Sequence, residues 1–137
     1  MTLEEAIVQQ LKNYPPLAAL VGTRIYPATY PQNATFPLCV YQRTSKSPDY
    51  THDGPSGNKD SRFQISSFGR SFSDARHTAD EIFEALRPWA EQQIVINDLR
   101  VGACFMEDEL DIYNPADVES QSLYQVLGDY LFLEGDA

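Results

Sequence analysis

The sequence is poor in positive charge. Only 10 of its 137 residues are lysine or arginine, against 20 aspartates and glutamates, and the formal net charge is −10. Non-specific binding to a nucleic-acid backbone or an anionic membrane needs basic clusters, so both are disfavoured. No apolar run approaches the ~20 residues of a membrane-spanning helix. The first five residues include Glu4 and Glu5 where a signal peptide has bases, so we expect a cytosolic protein.

Cysteine is also scarce, and the usual sequence signatures of catalysis are missing. Cys39 and Cys104 are the two cysteines, and they lie too far apart for a zinc-binding pattern. Small thiols are common in protein cores, so we expect both to be free and structural. The chain has no phosphate-binding loop, dinucleotide-binding loop or nucleophile elbow. These absences argue against an enzyme and predict no cofactor.

What the chain does contain is enough apolar material for a folded core. Hydrophobic residues make up 42% of the sequence, with eight tyrosines and seven phenylalanines. A chain of this length is expected to form a single domain over residues 1–137.

The segment from residue 62 to residue 89 changes its hydrophobic period at Gly69. Before this glycine, Phe63 and Ile65 alternate with polar neighbours, as in a half-buried strand. After it, apolar residues recur at helical spacing and predict one buried stripe: Ala75, Ala79, Ile82, Phe83 and Leu86. Pro88 is expected to end this helix, because proline lacks an N–H and its ring clashes one turn back. The segment therefore predicts a strand, a short turn and a helix that packs on a sheet.

Further elements complete the sheet and its cover. Thr2 and Glu5 have the spacing of a capping box and predict the start of an N-terminal helix. A short helical turn over 16–22 follows. Strands are predicted at 38–44, 94–96, 99–113 and 123–133, with Asn97-Asp98 as a tight turn. The predicted fold class is α+β, a mainly antiparallel β-sheet with two helices packed on it and a long hairpin loop between two strands.

Residues 45–61 are predicted to be that flexible hairpin loop. Ser, Pro, Asp, Gly, Asn and Lys dominate this stretch, which therefore buries little surface to offset its ordering entropy. One interpretation is a contact arm that becomes ordered on a partner, with Tyr50 as its anchor and Lys46 and Lys59 as its charges. The other is an insertion without a function. His52 also lies in this stretch.

Acidic residues cluster between residues 107 and 111. On a strand, Glu107, Glu109 and Asp111 are expected to point the same way. Three aligned carboxylates suit Ca²⁺ or Mg²⁺, although the Gly and Asn positions of a calcium loop are missing. The alternative is a solvated strand whose charges discourage aggregation.

The N-terminal half and the centre of the sequence carry a family resemblance. Its residues in the N-terminal half are Leu3, Ala6, Leu11, Leu17, Leu20-Val21-Gly22, Arg24-Ile25-Tyr26-Pro27, Pro31-Gln32, Ala34, Pro37 and Val40-Tyr41. The centre adds Arg62, Gln64, Ser71, Ala75 and Ala79-Asp80. With these residues the chain resembles the tail completion proteins of long-tailed bacteriophages and prophages, also called tail-to-head joining proteins. The resemblance covers residues 2 to about 87 and then thins to Tyr124 and Asp129-Tyr130, without a counterpart for 107–120.

The resemblance implies a structural virion protein that is not an enzyme. Such proteins have a small α+β fold and form a ring, commonly six-fold, at the top of the tail tube, where they dock the tail to the head connector. The implied partners are copies of the chain itself, the tail-tube protein and the head-connector protein, without a membrane. The implied location is the host cytoplasm during assembly and then the neck of the virion. Open sheet edges are expected to serve such assembly, because a neighbouring subunit extends them by main-chain hydrogen bonds.

The hypothetical interface set combines the loop and the acidic segment: Lys46, Tyr50, His52, Lys59, Glu107, Glu109 and Asp111. Part of the negative charge is expected to face the lumen, through which DNA passes without specific binding. Two other functions stay open. The chain is alternatively a stand-alone cytosolic module that binds a protein through 45–61, or a small metal-dependent enzyme that uses the carboxylates of 107–111.

Overall fold

Three helices and six strands follow one another in the part of the chain that the structure describes. The computed structural model describes residues 1–116 and 121–136. The elements are α1 (Leu3–Lys12), α2 (Pro15–Val21), β1 (Ile25–Pro27), β2 (Leu38–Thr51), β3 (Gly54–Gly69), α3 (Phe72–Glu91), β4 (Ile94–Ile96), β5 (Leu99–Asn114) and β6 (Leu123–Asp136). None of the described helices is both long and apolar enough to cross a membrane.

The strands form one mixed sheet in the order β1-β2-β3-β6-β5-β4. β1 runs parallel to β2, and the other neighbours are antiparallel. The α+β prediction is confirmed in outline, but the sheet is not wholly antiparallel and three helices replace the predicted two. The short turn expected after the first helix forms α2, which begins with Pro15 and ends at Val21, and Gly22, with φ of 58°, is its C-cap. The chain can then enter β1 directly, because glycine adopts a positive φ without the clash of a Cβ.

Local side-chain caps fix the starts of α1 and α3. The Glu5 backbone N–H donates to the Thr2 hydroxyl at 3.2 Å, and the Thr2 backbone N–H donates to the Glu5 carboxylate at 3.3 Å. This is the predicted capping box, and it pairs N–H groups that have no partner within a helix. In the same way the Ser71 hydroxyl accepts from the Asp74 backbone N–H at 3.1 Å.

The C-terminal half of α3 differs from the prediction in two respects. The helix continues through Pro88 to Glu91, so the expected end at Pro88 is wrong. Trp89 accounts for the extra turn, since its ring is buried and packs edge-on against Phe132 at 6.1 Å between centroids. Phe83 is also not in the buried stripe, because it lies about 100° around the helix from Ile82. Its side chain is 39% exposed.

The stretch 45–61 is a β-hairpin and not a loop. β2 and β3 continue through it until only His52 and Asp53 separate them. The composition argument failed because it counted side-chain burial, whereas the backbone hydrogen bonds of a ladder stabilise a polar strand as well. From Lys59 onward β3 also pairs with β6. At the base of the hairpin β3 therefore has a partner strand on each side. We call residues 45–61 the arm.

The main core lies between the helices and one face of the sheet. Phe63 and Phe132 meet edge-on there at 5.7 Å between ring centroids, and both are fully buried. Cys39 and Cys104 are free and buried, as predicted. Burial raises the pKa of each thiol to about 12, so both are protonated at neutral pH.

The core assignment predicts unequal costs for two phenylalanine truncations. Phe63→Ala removes a ring with no exposed surface and is expected to lower the free energy of unfolding by about 3–5 kcal/mol. Phe83→Ala, the matched control, is expected to cost about 1 kcal/mol or less, because its ring is partly solvated. Urea unfolding of both variants measures the difference. Equal costs would contradict the assignment of the buried face.

Candidate assembly surfaces

The arm carries four of the predicted interface residues, but they do not form one cluster. Tyr50 and His52 lie at its tip, where the Tyr50 side chain is 66% exposed. Lys46 and Lys59 lie at its base, opposite Ser61 and Glu134 respectively. The structure thus places Tyr50 and His52 at the tip of the arm and the two lysines at its base.

A polar cavity of about 220 Å³ lies between the base of the arm and the start of α1, with both lysines in its wall. Glu134 is buried in this wall, and its carboxylate accepts a hydrogen bond from the Ser61 hydroxyl at 3.3 Å. The Arg43 guanidinium donates to the same hydroxyl at 3.1 Å and also pairs with Glu4. Arg43 is therefore held in place by α1, whereas Lys46 forms no ion pair with any described residue.

A β-bulge breaks the expected alignment of the acidic segment. The register between β5 and β6 shifts between Met106 and Asp108, so Glu107 is the inserted residue. An inserted residue reverses the alternation of the strand. Glu107 pairs with Arg62 of β3 at 2.9 Å, whereas Glu109 and Asp111 face α3. The prediction that the three carboxylates point the same way is therefore wrong. Residues 117–120 of the wider acidic segment 107–120 lie outside the described residues.

Arg76 of α3 joins the acidic segment to the helix layer. Its guanidinium lies 2.5 Å from Glu109, 3.4 Å from Asp80 and 3.5 Å from Asp111. Partial burial alone would lower the pKa of Arg76, but the hydrogen bond and charge of Glu109, with the other two carboxylates, raise it overall. Sequence reasoning missed this residue, because Glu109 and Asp111 lie on a distant strand and Asp80, one turn further along α3, is its only local partner among the three acids.

These ion pairs weaken the metal-site interpretation. The described residues contain no group of three or more potential ligands placed to hold a metal ion. Arginines bind the carboxylates that the sequence suggested as ligands, and the bulge directs Glu107 away from the other two.

Both outer margins of the sheet are open over most of their length. β1 covers only 39–41 of β2, and β4 covers only 99–101 of β5. The segments 42–51 of β2 and 102–114 of β5 therefore have no described strand on their outer side. We call them the β2 edge and the β5 edge. Open sheet edges that a neighbouring subunit can extend were expected from the predicted sheet.

The sheet face opposite the helices is only partly covered. Near the start of β2, Tyr30 packs edge-on against Phe36 and Phe68 at 5.4 and 5.1 Å between ring centroids. Toward β5 the same face exposes Phe105 by 49% and Leu110 by 57%. The alternation of apolar residues on β5 was hidden in the sequence by the bulge at Glu107.

Comparison with known proteins supports a single family. A family model described as "Tail completion protein gp17" matches residues 5–130. A chain from a solved structure titled "Virion of native gene transfer agent (GTA) particle" superposes with a TM-score of 0.71 at 21% sequence identity, covering 97% of this chain and 95% of that chain. At that identity the likeness shows a shared fold. No curated protein sequence matches the chain.

The Arg76 contacts predict an asymmetry between two arginine substitutions. Arg76→Met keeps a long side chain but leaves Glu109, Asp80 and Asp111 close together without a countercharge, and we expect a loss of about 1–3 kcal/mol in the free energy of unfolding. Arg62→Met, the control, removes a more exposed pair with Glu107 and is expected to cost less than about 1 kcal/mol. Denaturant unfolding at low salt tests both. A smaller loss for Arg76→Met than for Arg62→Met would refute the role of Arg76.

Proposed function

Because the chain belongs to the tail completion protein gp17 family, we propose that its copies close into a ring at the top of a phage tail and join the tail to the head connector. Family membership makes the chain a structural tail protein of a virion and not an enzyme. In this proposal the copies assemble in the host cytoplasm and become part of the neck of the particle.

The ring is inferred from the pair of open edges at opposite margins of one sheet. A contact in which one patch of a copy meets a different patch of the next copy is heterologous. It builds a closed ring when the rotation between successive copies is a whole fraction of a full turn. Main-chain hydrogen bonds along a strand edge supply such a contact, because unpaired N–H and C=O groups accept an added strand. The β2 edge and the β5 edge provide the two different patches. Six copies are proposed, as the family resemblance implies.

The arm tip is the proposed contact with a different virion protein. Tyr50 is an exposed aromatic residue near the tip of the arm, and tyrosine is enriched at protein interfaces because it offers a large rigid surface with a polar end. His52 lies in the adjacent turn. Lys46, Lys59, Glu107, Glu109 and Asp111 complete the proposed interface set. The tail-tube protein and the head-connector protein are the proposed partners.

Acidic side chains are proposed to line the lumen. The chain carries a net charge of −10, and repulsion from such a surface would let DNA pass without binding. The electrostatic potential along the bore of an assembled ring, from an experimental structure of the ring on a tail tube, measures this directly. A negative bore is expected. An uncharged or basic bore would end the lumen proposal.

The ring itself is tested by native mass measurement of the chain alone and mixed with its tail-tube protein. Each chain has a mass of 15.5 kDa, and a species of six chains is expected on the tube. The tail-tube protein without the chain is the control. A monomer in the absence of the tube is compatible with a ring that forms only on assembly. A chain that neither oligomerises nor binds in the presence of the tube would contradict the proposal and favour a stand-alone binding module.

A further inference from the structure

We propose that the ring-forming contact is an antiparallel ladder between the β2 edge (42–51) of one copy and the β5 edge (102–114) of the next, with Lys46 set against Asp111. This inference rests on the proposed ring and goes further, because it names the two strands, their direction and their register. The partner surface is thus a second copy of this chain.

Strand direction favours this pairing. β3 is antiparallel to β2, β6 to β3 and β5 to β6, so β5 runs opposite to β2 within one copy. A rotation about an axis along the strands preserves strand direction. In a ring whose axis runs along the strands, the β2 edge of a neighbouring copy therefore meets the β5 edge antiparallel, and the joined sheets continue the pattern of the single sheet.

Charge favours this pairing over the alternatives in which two β2 edges or two β5 edges meet. The β5 edge carries Glu107, Asp108, Glu109 and Asp111, whereas the β2 edge carries Arg43 and Lys46 with Asp49 as its acid. Two β5 edges would set acids against acids, and like charges opposite each other are destabilising. A β2 edge against a β5 edge brings Lys46 to the acids, whereas Arg43 is already paired with Glu4 of its own copy. Repulsion between two β5 edges thus disfavours that like-edge contact and favours the heterologous one.

The β5 edge also has negative charge that is not compensated within the copy. Asp108 lies directly opposite Asp129 of β6, and neither residue forms an ion pair with the described residues. Such a pair raises the local negative potential, which a lysine on an approaching strand would lower. With Lys46 against Asp111, Asp49 of the added strand comes opposite Asp108, so the attraction comes from Lys46 and not from the strand as a whole.

The register follows from which side chains share a face. Lys46 lies opposite Ser61, which lies opposite the core residue Phe132, so Lys46 is on the helix side of the sheet. Asp111 is on the same side, because it contacts Arg76 of α3. Residues opposite each other in a ladder share a face. Asp111 is a better partner for Lys46 than Glu109, since its side chain is 55% exposed and that of Glu109 is 25%.

This register brings two uncharged side chains together on the other face. Ser47 and Leu110 follow Lys46 and precede Asp111, and each points away from the helices, as the pairs Ser47–Asp60 and Leu110–Leu127 show. In an antiparallel ladder with Lys46 against Asp111, Ser47 lies opposite Leu110. The added strand would then cover the flank of Leu110, which is largely exposed in the single copy.

Disulfide trapping on the tail tube tests the ladder. The S47C/L110C variant is mixed with tail-tube protein, oxidised and run on a denaturing gel. Each copy would contribute one cysteine to each neighbour, so a series of covalent species up to the full ring is expected. Either single variant, S47C or L110C, is expected to give no series. The native thiols are buried and protonated, so they form no background at neutral pH.

A control on the opposite face separates the ladder from general proximity. The S47C/Y113C variant places its second cysteine on the helix side of β5, where Tyr113 packs on Tyr124 next to α3, and it is expected to stay monomeric on the gel. Native mass measurement of every variant reports whether a ring is present. A ring without S47C/L110C cross-links would overturn the ladder and leave the proposed function standing. Absence of any ring for the unmodified chain on the tube would overturn both.

Discussion

The ladder between β3 and β6 is the contact on which the rest of the molecule depends. It runs from Lys59 and Glu134 at one end to Gly69 and Tyr124 at the other. β2 and β1 are added to one side of this pair and β5 and β4 to the other. Its inner face presents Phe63 and Phe132 to the helices. The base of the arm, the position of the acidic segment and the location of both open edges all follow from it.

Local signals in the sequence predicted local structure well. The Thr2 and Glu5 capping box and the Asn97-Asp98 turn each depend on residues within a few positions, and the structure contains both. Pro88 shows the limit of such signals. Its preference against a helix was outweighed by the burial of Trp89 against Phe132, which lies far away in sequence.

The candidate surfaces were only partly predictable, because their geometry depends on distant partners. The acidic strand was found from its alternation, but the bulge at Glu107 arises only where β5 meets β6. Arg62 and Arg76, which bind its carboxylates, belong to other elements. The arm was located from its composition and given the wrong conformation, since its backbone partners include residues of β6. Residue types were therefore visible in the sequence, whereas their neighbours were not.

The four bulges at the margins of the sheet bear on how many copies a closed assembly contains. Two interrupt the β2–β3 ladder, between Arg43 and Ser45 and between Pro48 and Tyr50. Two interrupt the β5–β6 ladder, between Val101 and Ala103 and between Met106 and Asp108. A bulge bends its strand and increases the local right-handed twist. The angle between successive subunits is then set by the curvature of each margin, and a six-membered circle needs about 60° per step. Stoichiometry would accordingly be a property of backbone shape, and inserting or deleting one residue at a bulge would change the diameter of the circle or open it into a helix.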